Sequence, residues 1–371
     1  MIRADLATRT AMAGTRKSAS SLIGHPLPRY YRFIAWLLRG AYFGRVSVRG
    51  APTPAGGTSA PRLIVSSHRN GAIDGYVVMQ AFPQAQFLVA VQLLRHPLLR
   101  LLFAGIPVVR DKDRERHGIQ REAFGNPVEA GCAHLRAGGD LVVFPEGSSE
   151  WGWRPLPYHR GAARMACALL AEGVAVQVVP LGLHYAQPDR FRSRAELLAG
   201  PPVALPAPAS DEPRRAWENR VHEAIGAALD QVSVDTPSPE DFDTAAHAAL
   251  TTAQAGGSYA DAFVEAQRAL REGRALPVPS ASRPRRSWPW DYALAACFAV
   301  LFAPVLLAGL AAGKRADARN TVTFFRMAAG LAVAWLWLPA LLALTLWHPL
   351  PMAVAWALAA LGWWRWPRPL A

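Results

Sequence analysis

Two short stretches of this sequence put reactive polar groups at the ends of apolar runs. His68 opens H-R-N-G-A-I-D, which closes at Asp74, and Phe144-Pro145-Glu146-Gly147 ends the run that begins at Leu141. A neutral imidazole at a turn entering a helix can take a proton from an alcohol. A nearby carboxylate can accept from the other ring nitrogen, fix the tautomer and stabilise the imidazolium, the logic of a triad without its serine. The substrate alcohol would then be the nucleophile, and backbone N–H groups at the helix start can stabilise the oxyanion. With a thioester donor the leaving thiol needs little acid assistance. In the second motif, Pro-Glu-Gly holds a carboxylate at a tight turn, where Gly147 permits close backbone approach. Glu146 can orient acceptor hydroxyls or organise basic neighbours. Arg110, at the end of the GIPVVR run, and Arg160, before Gly161, are candidate anion ligands, because a planar guanidinium meets phosphate as a fork. Taken alone, Arg110 reads as a surface ion pair within the DKDRER stretch.

These groups need elements to position them. Residues 62–66 predict a buried strand and His68–Gln80 a turn entering a helix. Phe87–Val91 and Gly105–Arg110 read as strands, 125–137 as a helix, Leu141–Phe144 as a strand, Gly161–Glu172 as a small-residue helix and Val176–Leu183 as a strand. Strands alternating with helices through about residue 205 argue an α/β fold, a mixed and largely parallel sheet flanked by helices. The expected organisation is a basic, weakly ordered tail over 1–27 and an α/β domain over 28–205. A helical extension over 206–274, a Pro/Ser/Arg linker over 275–289 and hydrophobic helices over 290–371 complete it. Residues 28–44 mix aromatics with Arg at helical spacing. They fit an interfacial helix as well as an amphipathic helix packed on its own domain.

Composition points to a membrane surface. The chain has 371 residues, 51% of them hydrophobic, with a net charge of +13 and a mean hydropathy of +0.10. A basic balance implies anionic partners. No aromatic-studded RNA motif or helix-turn-helix signature accompanies it, so nucleic acid is not expected. The apolar excess lies after about residue 288. Tyr292–Ala312 and Ala328–Leu346 are long, nearly uncharged runs, and Met352–Trp364 is a shorter one; about 20 apolar residues span hydrocarbon. A true span and a re-entrant hairpin both fit the first run. Trp363, Trp364 and Trp366 beside Arg365 and Arg368 make an interfacial end. The protein is therefore expected to sediment with membranes, and removal of residues 288–371 to release it unless 28–44 also anchors it. Cys132, Cys167 and Cys297 are far apart and odd in number, which suggests neither a disulfide framework nor a zinc site.

The four blocks His68 to Asp74, Gly105 to Arg110, Phe144 to Gly147 and Val179-Pro180-Leu181 stand in the order and spacing of the glycerolipid acyltransferases. The sequence resembles that family, which includes glycerol-3-phosphate and lysophosphatidic acid acyltransferases, over about residues 30–205. Phe191-Arg192-Ser193-Arg194 with Gly200-Pro201-Pro202, and the segment Lys314–Arg326, look like the membrane-anchored glycerol-3-phosphate/dihydroxyacetone-phosphate acyltransferase branch. The resemblance implies acyl transfer from acyl-CoA or acyl-carrier protein, as co-substrate and with no cofactor, to a glycerol-phosphate-type hydroxyl in phospholipid biosynthesis or remodelling. It implies His68 as base, Asp74 as its partner and Arg110 on the acceptor phosphate. Glu146 and Gly147 would shape the acceptor site, and Pro180 would line the donor side. It also implies a membrane location, with the active site facing the cytoplasm. Two departures mark this chain. Five residues separate His68 from Asp74 where the commonest family pattern has four; a branch beginning H-P-N shares the longer spacing. Asn70 matches that branch's Asn, and Arg69 replaces its Pro.

Other classes fit less well. No G-x-S-x-G elbow exists, and G-S-S-E-W-G at 147–152 lacks its spacing. His117, His134, His159 and His184 form no ligand pattern for a metal hydrolase. The rival from another class is a non-catalytic lipid-binding membrane protein on a decayed acyltransferase fold. The sequence leaves the acceptor and the oligomeric state open.

Overall fold

A computed structural model describes residues 23–50, 60–95, 99–108, 126–276 and 288–366. Arg110, most of the basic tail and most of the 275–289 linker lie outside these residues. The strands are β1 (Arg45–Arg49), β2 (Arg62–Ser66), β3 (Gln86–Ala90), β4 (Ile106–Val108), β5 (Leu141–Val143), β6 (Gln177–Tyr185) and β7 (Arg194–Ala199). They form one sheet in the order β1-β7-β6-β2-β5-β3-β4. Every neighbouring pair is parallel except β6 with β7. The mixed, largely parallel sheet is thus as the sequence implies.

The helices are α1 (Arg29–Tyr42), α2 (Ile73–Val78), α3 (Val91–Arg95), α4 (Leu99–Leu102), α5 (Pro127–Arg136), α6 (Gly161–Ala171), α7 (Arg214–Asp230), α8 (Pro239–Gln254), α9 (Tyr259–Arg271), α10 (Pro289–Leu301), α11 (Ala303–Gly313), α12 (Arg319–Trp347) and α13 (Pro349–Trp364). Alternation along the strands gives each face its own core. Ile64, Val179 and Leu181 pack with Tyr31, Ala35 and Leu38 of α1 and with Ile73, Tyr76 and Val77 of α2. Leu63, Val65 and Val178 face the other way, onto Leu135, Ala163, Leu169, Trp217, Val221 and Ile225 of α5, α6 and α7. Each such buried aliphatic or aromatic side chain contributes roughly 1.5–3 kcal/mol relative to exposure. α1 packs on its own domain through Tyr31, Ala35, Leu38 and Tyr42, while Tyr30, Phe33 and Trp36 stay exposed on its outer face.

The helical extension is tied to the sheet by a buried carboxylate. Glu196 of β7 accepts from the Ser258 hydroxyl (2.7 Å) and the Ala260 N–H (3.0 Å) at the start of α9. Acidic groups favour a helix N-terminus, where N–H donors lack intrahelical partners.

The apolar C-terminal region adds detail to the expected pattern at two places. The run Tyr292–Ala312 is not one helix: it breaks at Phe302 into α10 and α11, bent by 86°. Pro304 sits in the first turn of α11; proline donates no N–H, and it disfavours helical geometry in the residue before it. α12 starts nine residues earlier than the apolar run Ala328–Leu346, because its first turns pack against the α/β domain. Asn320, Thr323 and Met327 are buried there, and Met327 belongs to the same core as Leu38 and Tyr76. α12 is long and apolar enough to cross a membrane, with 17% of its most apolar stretch buried.

Candidate active site

β2 and β5 are parallel neighbours, with Leu63 opposite Leu141. Their carboxyl ends therefore finish side by side, and the two motifs leave the sheet at one edge, where α/β folds bind ligands. The His68 ring stacks on Phe144, with centroids 4.2 Å apart. Its Nδ1 lies 2.8 Å from Asp74 Oδ2.

Asp74 is fully buried, and its two oxygens meet donors from three other residues besides His68. Oδ2 also accepts from the N–H groups of Arg69 (2.7 Å) and Asn70 (2.9 Å), and Oδ1 accepts from the Tyr185 hydroxyl (2.5 Å). An acceptor so placed makes His68 Nδ1 the donor, which leaves Nε2 as the basic nitrogen. The His68 side chain is 18% exposed, so the ring can meet a substrate. The Arg69 and Asn70 amides, which open the turn into α2, are engaged by Asp74. Those two N–H groups hold the carboxylate and are not open oxyanion donors.

Glu146 braces the other side of His68. Its Oε1 accepts from the His68 N–H (2.7 Å) and its Oε2 from the Leu156 N–H (3.0 Å). The Glu150 N–H donates to the His68 carbonyl (3.2 Å). The histidine backbone is thus gripped at both polar groups by the turn after β5. Burial raises the Glu146 pKa, opposed by the Leu156 and His68 N–H groups. Gly147 turns the chain at φ +64°, and a Cβ there would lie 2.9 Å from the His159 ring. The His159 N–H donates to the Pro145 carbonyl (2.8 Å), which ties exposed Arg160 to the same turn.

Arg69, which stands in place of the branch's proline, is buried. Its guanidinium lies 4.7 Å from the Trp151 ring centroid and 5.7 Å from that of Phe242 in α8, and it donates to the Gly152 carbonyl. Burial lowers its pKa to about 10, opposed by Glu146, Tyr259 and Asp74. Asn70 is buried, and among the described residues neither side-chain amide atom has a hydrogen-bond partner. Pro180 pairs in register with Val65 and packs towards Gly200 and Val232. It shares the sheet face of Val65 and Val178, opposite the face that α2 covers.

The structure thus gathers His68, Asp74, Glu146, Gly147 and, at the rim, Arg160. Pro180 stands apart. Two contributors escape the sequence reading: Tyr185, 111 residues from Asp74, and Asn320, whose Nδ2 donates to the Ser149 carbonyl (2.7 Å) and hydroxyl (2.9 Å) across 171 residues. Tyr185 ends the expected strand Val176–Leu183 two residues on, so a phenol at a strand's carboxyl end was its one available signal. Among the described residues, no three His, Cys, Asp or Glu side chains are grouped to hold a metal ion.

A buried aspartate orienting a histidine at the carboxyl edge of a mixed sheet is one form an acyl-transfer site takes, and residues 45–184 match the family model described as Acyltransferase. The chain is 35% identical over 112 residues to an uncharacterized acyltransferase of Schizosaccharomyces pombe, covering 29% of this chain and 17% of that protein. It is 32% identical over 113 residues to glycerol-3-phosphate O-acyltransferase 2 of Saccharomyces cerevisiae, covering 30% and 15%. With glycerol-3-phosphate O-acyltransferase 1 of the same yeast it shares 33% over 102 residues, covering 27% and 13%. The match therefore spans less than a fifth of the length of these curated relatives. The structure of the 1-acyl-sn-glycerophosphate acyltransferase PlsC from Thermotoga maritima aligns with a TM-score of 0.34 at 15% identity, over 53% of this chain and 80% of that one. The match to the acyltransferase family model thus rests on residues 45–184, the segment that carries both motifs. Two of the three curated relatives are glycerol-3-phosphate O-acyltransferases.

Proposed function

We propose that this protein moves a fatty acyl group from acyl-CoA or acyl-carrier protein to a hydroxyl of glycerol 3-phosphate or a lysophospholipid, with His68 as general base. The observation that carries this reading is the His68–Asp74 pair, with Nδ1 held by a buried carboxylate and Nε2 left for a substrate. In the reaction, Nε2 takes the proton of the acceptor hydroxyl as its oxygen attacks the thioester carbonyl. Asp74 stabilises the imidazolium that forms. The tetrahedral intermediate then collapses, the C–S bond breaks, and the imidazolium returns the proton to the departing sulfur.

Arg160, with Arg110, serves the acceptor phosphate in this reading. Asn70, Glu146 and Gly147 shape the acceptor side, and Pro180 belongs to the donor side. The enzyme works at a membrane. After the docked first turns of α12, residues 328–347 extend roughly 30 Å, about the thickness of the hydrocarbon core. Trp335, Leu336, Leu346 and Trp347 on that stretch are exposed. The active site faces the cytoplasm, where both donors are found, and the product enters phospholipid biosynthesis.

The test is to incubate the purified full chain with labelled acyl-CoA or acyl-carrier protein and a panel of acceptors, then identify the lipid product. Wild-type protein should acylate a glycerol-phosphate-type acceptor, and His68→Ala should lower the rate by about 10²–10⁴-fold. Binding of lipid with no acylated product from any acceptor would overturn the reading in favour of a lipid-binding protein.

A further inference from the structure

The first turns of α12 do more than begin an apolar helix. Asn320, the second residue of that helix, donates from Nδ2 to both the carbonyl and the hydroxyl of Ser149. The next residue, Glu150, donates its N–H to the His68 carbonyl. On the other side, the Asn320 carbonyl packs on Gly71, in the turn between His68 and Asp74. A Cβ at Gly71, whose φ is +56°, would lie 3.0 Å from that oxygen. Asn320 therefore touches both loops that hold the histidine. Arg319, one residue before, lies 5.0 Å from the Trp151 ring centroid beside the same turn. Further along the helix the anchors lie elsewhere: the Thr323 hydroxyl donates to the Pro188 carbonyl (2.8 Å), the Arg326 guanidinium donates to the Asp189 carbonyl, and Phe324 packs on Phe103.

We propose that Asn320 is a positioning residue for His68, so that the C-terminal apolar region completes the active site instead of only anchoring it. The inference rests on the acyl-transfer reading for its kinetic part. The route runs from Asn320 to Ser149, through Glu150 to the His68 backbone, with Gly71 as the second point of contact. Small displacements of a base relative to its substrate lower rates steeply. A residue that fixes the two loops holding that base should affect kcat more than substrate binding.

The experiment compares Asn320→Ala, Asn320→Asp and Thr323→Val with wild type, each as the full chain in detergent. Asn320→Asp keeps the shape but removes the donor and sets a carboxylate against the Ser149 carbonyl. Thr323→Val loosens the same helix away from the catalytic loops. Kinetics with acyl-CoA and glycerol 3-phosphate are read alongside amide hydrogen exchange over residues 68–74 and 146–150. The expected result is a kcat about tenfold lower or worse in both Asn320 variants, with KM changed less than about twofold and faster exchange at those amides. Thr323→Val should keep the wild-type kcat. Wild-type kcat or wild-type exchange in Asn320→Ala overturns the proposal, as does an equal kcat loss in Thr323→Val. If the wild-type protein transfers no acyl group, the functional reading falls instead, and exchange alone decides the coupling.

Discussion

The His68 ring lies nearly flat against Phe144, 18° from parallel, and Phe87 stacks in turn beneath Phe144. Two motifs 76 positions apart thus share one aromatic column, and Phe144 limits how far the imidazole can tilt while Asp74 fixes its rotation. Phe144→Leu keeps the apolar bulk and loses the flat face. Its expected effect is a kcat lowered several-fold with KM little changed, read from initial rates across acceptor concentrations; unchanged kcat would mean that the stack is packing alone.

Tyr185 donates to Asp74 Oδ1 in a buried setting. Tyr185→Phe leaves that oxygen without its donor. The loss should lower stability by about 1–3 kcal/mol, visible as a shifted denaturation midpoint. It should also reduce the orienting strength of the carboxylate, so kcat falls as well. A variant with wild-type melting and wild-type turnover would show that the phenol adds nothing to the pair.

His184 gives a pH dependence with a definite sign. Burial lowers its pKa to about 4 from 6.5, opposed by the bond to the Val232 carbonyl, 2.7 Å from Nε2. A histidine held neutral in the folded state takes up its proton more readily when unfolded. Its contribution is complete above pH 6.5 and is lost as pH falls from there toward about 4. The loss is on the order of 3 kcal/mol. Urea titrations from pH 7 to pH 4 should show that slope in wild type and a flatter one in His184→Gln.

By sequence alone, deletion of residues 288–371 is expected to release the chain from membranes unless 28–44 also anchors it. The packing adds a further consequence, because Met327 of α12 belongs to the core that also holds Leu38 and Tyr76. Phe191 also stacks against Phe298 and meets Trp363. The shortened chain should expose that apolar surface and sediment even in detergent, or fold with much reduced stability. Recovery of a monodisperse, fully active 1–287 fragment would refute this and the proposed role of Asn320 together.

The strands that hold the motifs were legible because each is a short apolar run feeding a polar turn, as in Leu63–Ser66 before His68 and Leu141–Val143 before Phe144. β1 and β7 were not. β7 reads R-A-E-L-L-A, a sequence of good helix formers, yet it pairs with β1 on one side and β6 on the other. Tertiary pairing overrides local preference there, because Ala195, Leu197 and Ala199 find a buried sheet face. β1, R-V-S-V-R, alternates but carries charge at both ends. The site was legible as far as its motifs reached, to His68, Asp74 and Glu146-Gly147. Tyr185 and Asn320 reach the site only through folding, and no spacing rule connects them to it. Arg110 falls among residues that the structure does not describe, so its part stays with the resemblance.

The position of β7 between β1 and β6 also fixes an order in time. β1 pairs with β7, so the N-terminal strand has nowhere to add until the ribosome has made residues 194–199. Long-range pairings of this kind form late, and domains generally mature as units during synthesis. The grip of Asn320 on Ser149 waits longer still, until α12 has been translated. A nascent chain halted anywhere before residue 320 lacks that contact, so the loops around its histidine are braced only after α12 has emerged.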